Sequence, residues 1–96
     1  MKVRNMQSAQ GNNIANQFIL DDSQISNGTI IDQGTAFQSY DSIIAFKGYY
    51  GKTYLDSKYW DYSKTTGKYR NIFLGETKKE TQKKIDSGEY ILTNLN

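Results

Sequence analysis

Three observations in the 96-residue sequence predict a single α+β domain, with an antiparallel sheet of four or five strands followed by two helices after residue 62. Short runs rich in β-branched and aromatic residues fill the first half, joined by connections too short for parallel crossovers. At Tyr62 the apolar spacing changes from two to between three and four, the change from a strand period to a helix period. Two helix-start signals follow, at Ser63 and at Thr77.

Residues 1 to 15 are rich in Gln, Asn and Ser with isolated apolar residues. Such a composition buries too little to offset its ordering entropy, so this segment is expected to be flexible, at most adding Val3 to a sheet edge, and the folded domain to span 16 to 96. Phe18 and Leu20 alternate around Ile19 as a strand requires, and Asn27-Gly28 is a hairpin signal expected to pair Ile25 with Ile30. Thr35 to Ser39 and Ser42 to Phe46 read as two further strands around Tyr40-Asp41, and Gly48-Tyr49-Tyr50-Gly51 as a hairpin connection into Lys52 to Leu55.

Ser63 suits an N-cap for a helix running to Leu74, with Gly75 as its terminator and Gly67 costing roughly 1 kcal/mol in its interior. Its apolar face would hold Tyr62, Thr65 or Thr66, Tyr69, Ile72 and Phe73. Thr77-Lys78-Lys79-Glu80 fits a capping box for a second helix ending near Ser87, with Glu80 and Lys84 spaced for an i,i+4 ion pair. Tyr90 and Leu92 alternate with Ile91 and Thr93 in a closing strand.

Composition narrows function more than it defines it. The chain has no Cys and no His. That removes disulfides, thiolate chemistry, the usual general base at neutral pH and the commonest transition-metal ligand. The expectation is a protein that is not an enzyme and takes no cofactor or metal. Asp21, Asp22, Asp32 and Asp41 form no recognised cation loop, and Asp21-Asp22-Ser23 has an ordinary turn composition. No segment approaches the roughly 20 apolar residues of a membrane span, and no apolar run follows Lys2 and Arg4, so a cytoplasmic protein is expected.

Charge is uneven along the chain. Residues 1 to 46 carry a net of −2, whereas residues 47 to 84 hold ten of the twelve cations against Asp56, Asp61, Glu76 and Glu80, a net of +6. Eight of the thirteen aromatics lie between Tyr49 and Phe73. Lys58, Tyr59, Trp60, Lys64, Lys68 and Arg70 interleave cations with flat rings, the composition that binds single-stranded nucleic acid or anchors a protein partner. Helical spacing assigns Tyr62, Tyr69 and Phe73 to the core instead, and Lys78, Lys79, Lys83 and Lys84 to a solvated helix face.

Ser39-Tyr40-Asp41-Ser42-Ile43-Ile44-Ala45, then Gly51-Lys52-Thr53-Tyr54-Leu55, then Tyr62-Ser63-Lys64-Thr65-Thr66-Gly67-Lys68-Tyr69, resemble a family of small uncharacterised proteins encoded by phages, prophages and plasmids. The shared elements are a Ser-Tyr-x-(Ser/Thr)-x-(Ile/Val)-Ala strand and a Tyr-Ser-x-Thr-Thr-x-x-(His/Tyr) helix start, over about residues 37 to 74. Many relatives carry His where this chain has Tyr69. The resemblance implies a mobile-element accessory protein acting by binding, on a host protein such as a CRISPR-type defence enzyme or, as the alternative, on single-stranded nucleic acid.

Overall fold

The computed structural model describes residues 1–27 and 30–96. Six strands and two helices follow in the order β1 (Lys2–Gln7), β2 (Asn13–Asn27), β3 (Ile30–Ser39), β4 (Ser42–Gly48), β5 (Thr53–Asp56), α1 (Lys64–Leu74), α2 (Lys78–Asp86) and β6 (Tyr90–Thr93). All six strands form one sheet in sequence order. The first five pair antiparallel, and β6 runs parallel to β5, with Thr53 opposite Tyr90 and Asp56 opposite Thr93. The sheet is therefore mixed and six-stranded, where four or five antiparallel strands were predicted. Short connections do enforce antiparallel pairing as far as β5; the last connection carries two helices, long enough to return the chain in the same direction.

Three more expectations meet a different arrangement in the N-terminal strands. Residues 1 to 15, expected to be flexible, contain β1 and the start of β2. Val3 lies opposite Leu20 on the sheet edge, and Met6 packs with Ile19, Phe37 and Ile44. Asp21 and Asp22 are not a turn but a bulge inside β2, two residues facing Thr35 alone, with Asp22 at φ 53. Past the bulge Asn27 pairs with Ile30 and Ile25 with Asp32, so the expected pairing of Ile25 with Ile30 is displaced by two residues. An even displacement keeps both isoleucines on one face, and both pack on the same apolar cluster. The turn expected at Asn27-Gly28 falls on Gly28, outside the described residues.

Alternate residues divide the core between the two sheet faces. Phe37 and Ile44 face α1 with Tyr59, Tyr69 and Phe73, and Ala45, Leu55 and Tyr90 meet Trp60, Leu74 and Ile85. Their neighbours Ala36 and Phe46 point the other way, with Leu20 and Tyr54, into a cluster closed by Ile25, Ile30, Ile91 and Leu95. Buried Asp56 ties the end of β5 to two loops. Its carboxylate accepts from the backbone of Lys58 and Tyr59 at 3.0 and 2.8 Å and from Leu95 N and the Asn96 amide at 2.8 and 2.9 Å.

Both helices start and stop where their signals lie. Ser63 Oγ accepts from Thr66 N, Gly75 takes the left-handed conformation at φ 71, and Thr77 and Glu80 complete the reciprocal capping box. The buried stripe of α1 is different from the predicted one: Thr66, Gly67 and Arg70 are buried, while Tyr62 and Ile72 are 46% and 59% exposed. Lys84 pairs with Glu76 at 2.8 Å rather than with Glu80, whose carboxylate is engaged in the capping box. Among the described residues no helix is long and apolar enough to cross a membrane.

Candidate binding groove

The turn between β5 and α1 places the charged groups that matter. Ser63 holds the first turn of α1, and Thr66 at its third position meets Ser39 of β3 through a buried 2.8 Å hydroxyl pair. The Ser-Tyr and the Tyr-Ser-x-Thr-Thr segments singled out in the sequence are thus in direct contact. The same contact sets the turn carrying Tyr40, 45% exposed and at φ 54, beside the start of α1.

Arg70, one turn after Thr66, points inward and is 1% exposed. Its Nη1 donates to Trp60 O at 2.6 Å and to Asp61 Oδ1 at 3.2 Å, its Nη2 donates to Asn71 Oδ1 at 3.0 Å, and its Cζ lies 5.2 Å from the Trp60 ring centre. The sequence suggested Arg70 as a planar fork offered to a partner. The structure engages that fork within the chain, because Trp60 and Asp61 reach it from the preceding turn. Arg70 Nε is buried without a hydrogen-bond partner among the described residues, as are both amide atoms of Gln17.

Asp61 has a second partner. Its Oδ2 accepts from Lys78 Nζ at 2.7 Å, so a chain of charges runs from Arg70 through Asp61 to the first residue of α2. Burial alone would raise the Asp61 pKa, but the hydrogen bonds from Lys78 and Arg70 outweigh it and hold the carboxyl below its ordinary value. Around this chain lies an open groove of about 480 Å³ lined by Tyr62, Lys64, Gly67, Lys68, Asn71 and Lys78, with Arg70 and Asp61. Its cations are three lysines and Arg70 against the one carboxylate of Asp61, with the hydroxyls of Tyr62 and Ser63 and the Asn71 amide beside them, a lining suited to anionic groups.

Of the six residues expected to carry binding, Lys64 and Lys68 are exposed on this groove. Lys58 is exposed outside its lining, with Nζ 5.2 Å over the Tyr59 ring. Tyr59 is half-buried on the α1 core and meets Tyr62 edge-on at 5.5 Å. Trp60 is half-buried between Arg70 and the Ala45 cluster. The sequence reading missed Lys78, taken as part of a solvated run, and Tyr62, taken as core. The capping box did locate Lys78 at the start of α2, but its distance to Asp61 depends on how α2 lies beside the β5–α1 turn, which local patterns do not encode.

The acidic residues elsewhere are spread out. Asp21 pairs with Arg4 at 2.7 Å, Asp22 accepts from Tyr49 and Asp32 from Tyr54 at 3.1 Å. Among the described residues no group of three or more carboxylates could hold a metal ion.

A model of a family described only as a family of unknown function (DUF8033) matches residues 1–89. No curated protein and no solved structure matches the chain.

Proposed function

The chain belongs to DUF8033, a family of unknown function, and we propose that it is a non-enzymatic binding protein that takes single-stranded nucleic acid at the α1 groove, the phage or other mobile-element source resting on the motif resemblance alone. The observation that carries this reading is the arrangement of Lys64, Lys68 and Lys78 with half-exposed Tyr62 around one open, polar groove. Lysines track phosphates as point charges, and an exposed ring offers a stacking surface worth about 1 to 3 kcal/mol per base.

A host protein as partner, for instance a defence enzyme, is the second reading. Of the anchors expected for it, Trp60 and Arg70 are engaged with each other inside the chain and Tyr59 is half-buried on the α1 core. One observation favours it: Ile72, 59% exposed, sits one turn beyond Lys68 on the same side of α1, and an apolar side chain there suits a protein surface better than a phosphate backbone.

Fluorescence anisotropy with an oligothymidylate longer than the ~4–16 nucleotide sites of single-strand binders tests the first reading. Binding at low salt should weaken steeply as salt rises, and Lys64→Glu with Lys68→Glu should abolish it. Absence of binding at low salt would sink the nucleic-acid reading. A stoichiometric partner captured from host lysate by the wild type, and lost in Ile72→Asp, would then establish the second.

A further inference from the structure

We infer that the groove is a phosphate site in which the chain's own Asp61 occupies the anion position, and that a bound strand takes Lys78 away from Asp61. This rests on the nucleic-acid reading and adds the residue that limits its affinity. The two oxygens of Asp61 face unequal partners. Oδ1 faces Arg70, 1% exposed, whose charge would be left buried and uncompensated if the pair opened. Oδ2 faces Lys78, 59% exposed and solvated, whose pair with a carboxylate that is itself 30% exposed holds only weakly. The Arg70 contact therefore stays and the Lys78 contact exchanges.

Exchange provides the groove with its third cation. With Lys78 held by Asp61, the groove offers an incoming phosphate Lys64 and Lys68; with Lys78 released, three lysines converge on it. No acidic side chain lies in the first turn of α1 to compete at that end. The held carboxylate of Asp61 remains charged at neutral pH, so its competition for Lys78 is permanent rather than switched.

Anisotropy titrations of an oligothymidylate against Asp61→Asn, Lys78→Gln and Lys83→Gln decide it, with each variant's fold checked by circular dichroism. Lys83 carries the same charge on the same helix, outside the groove lining. Asp61→Asn should bind about twofold to fivefold more tightly, the factor that corresponds to losing an exposed competing ion pair. Lys78→Gln should weaken binding and reduce the salt slope by about 0.7, the value of one phosphate contact on a single strand, while Lys83→Gln leaves the slope unchanged. Equal losses from Lys78→Gln and Lys83→Gln would mean diffuse attraction and overturn the site. If Asp61→Asn unfolds because Arg70 loses its partner, the comparison of the two lysine variants still decides. A folded Asp61→Asn that binds no more tightly overturns Asp61 as competitor and leaves the binding function standing, whereas no binding by any variant overturns both. A polyglutamate peptide that binds with the same Asp61→Asn gain where the oligonucleotide does not would move the site from phosphate to the carboxylates of a protein partner.

Discussion

Arg70 shows how far residue type can mislead about place. Arginine is almost never fully buried unless paired, and beside Lys68 it reads as part of a cationic surface. Here Trp60 O, Asp61 and Asn71 accept from its two terminal nitrogens, Nε alone staying without a partner among the described residues, and the Trp60 ring covers its face. Replacing it by Leu would leave Trp60 O and the Asn71 amide oxygen without their donor and Asp61 with Lys78 alone, and should cost about 1 to 3 kcal/mol, read as a lower urea midpoint. Arg70→Lys keeps the charge but loses the fork and should fall between Leu and the wild type. A Leu variant that unfolds at the wild-type midpoint would show that these contacts add nothing. The sequence could not show this burial, because it depends on how the turn from Ser57 to Ser63 folds back on the helix it precedes.

At the scale of elements, two glycines separate close approach from mere helix weakness. A Cβ on Gly34 would lie 1.9 Å from Lys47 O and 2.8 Å from the Gly48 Cα, so Gly34→Ala must push β3 and β4 apart. A loss of about 3 kcal/mol or more is expected, at the upper end of overpacking costs. A Cβ on Gly67 would meet the Arg70 guanidinium at 3.6 to 3.9 Å, ordinary contact distances. Gly67→Ala should therefore recover about 0.5 to 1 kcal/mol of helix propensity. In a thermal melt the two variants move in opposite directions, and a destabilising Gly67→Ala would show that the contact with Arg70 is too tight. Helix ends were legible in the sequence because caps act within four residues, as Ser63, Gly75 and the Thr77–Glu80 box show. The face that each helix buries was less legible, since Tyr62 and Ile72 lie outside the core although their spacing fits it.

For the whole molecule, Glu76 joins the α1–α2 turn to α2 and β6. Its 4%-exposed carboxylate accepts from Thr81 Oγ1 at 2.6 Å, Lys84 Nζ at 2.8 Å and Tyr90 OH at 2.7 Å. Burial raises its pKa, yet those donors outweigh burial and the net shift is downward. Its contribution is present above the unfolded value of about 4.3 and is lost as pH falls through the lower folded value. For Tyr90, burial and the Glu76 carboxylate push the phenol up to about 12. That contribution is present below the unfolded value of about 10 and is lost as pH rises from there towards about 12. Stability should therefore be flat through neutrality and fall at both ends. Denaturation midpoints across pH test this: Glu76→Gln should flatten the acid limb and Tyr90→Phe the alkaline one, and unchanged limbs would contradict the assignment. What the sequence by itself determined is the kind and order of most elements, the positions of the caps and the concentration of cations after residue 47, because each is carried by neighbours or by a short period along the chain. Only the tertiary structure decided that β1 is part of the sheet, that β6 runs parallel to β5, that Arg70 turns inward and that Lys78 meets Asp61 in a groove. Those outcomes depend on side chains and strand edges from separate segments coming together, and the burial that selects among them exists only once the sheet and both helices have packed.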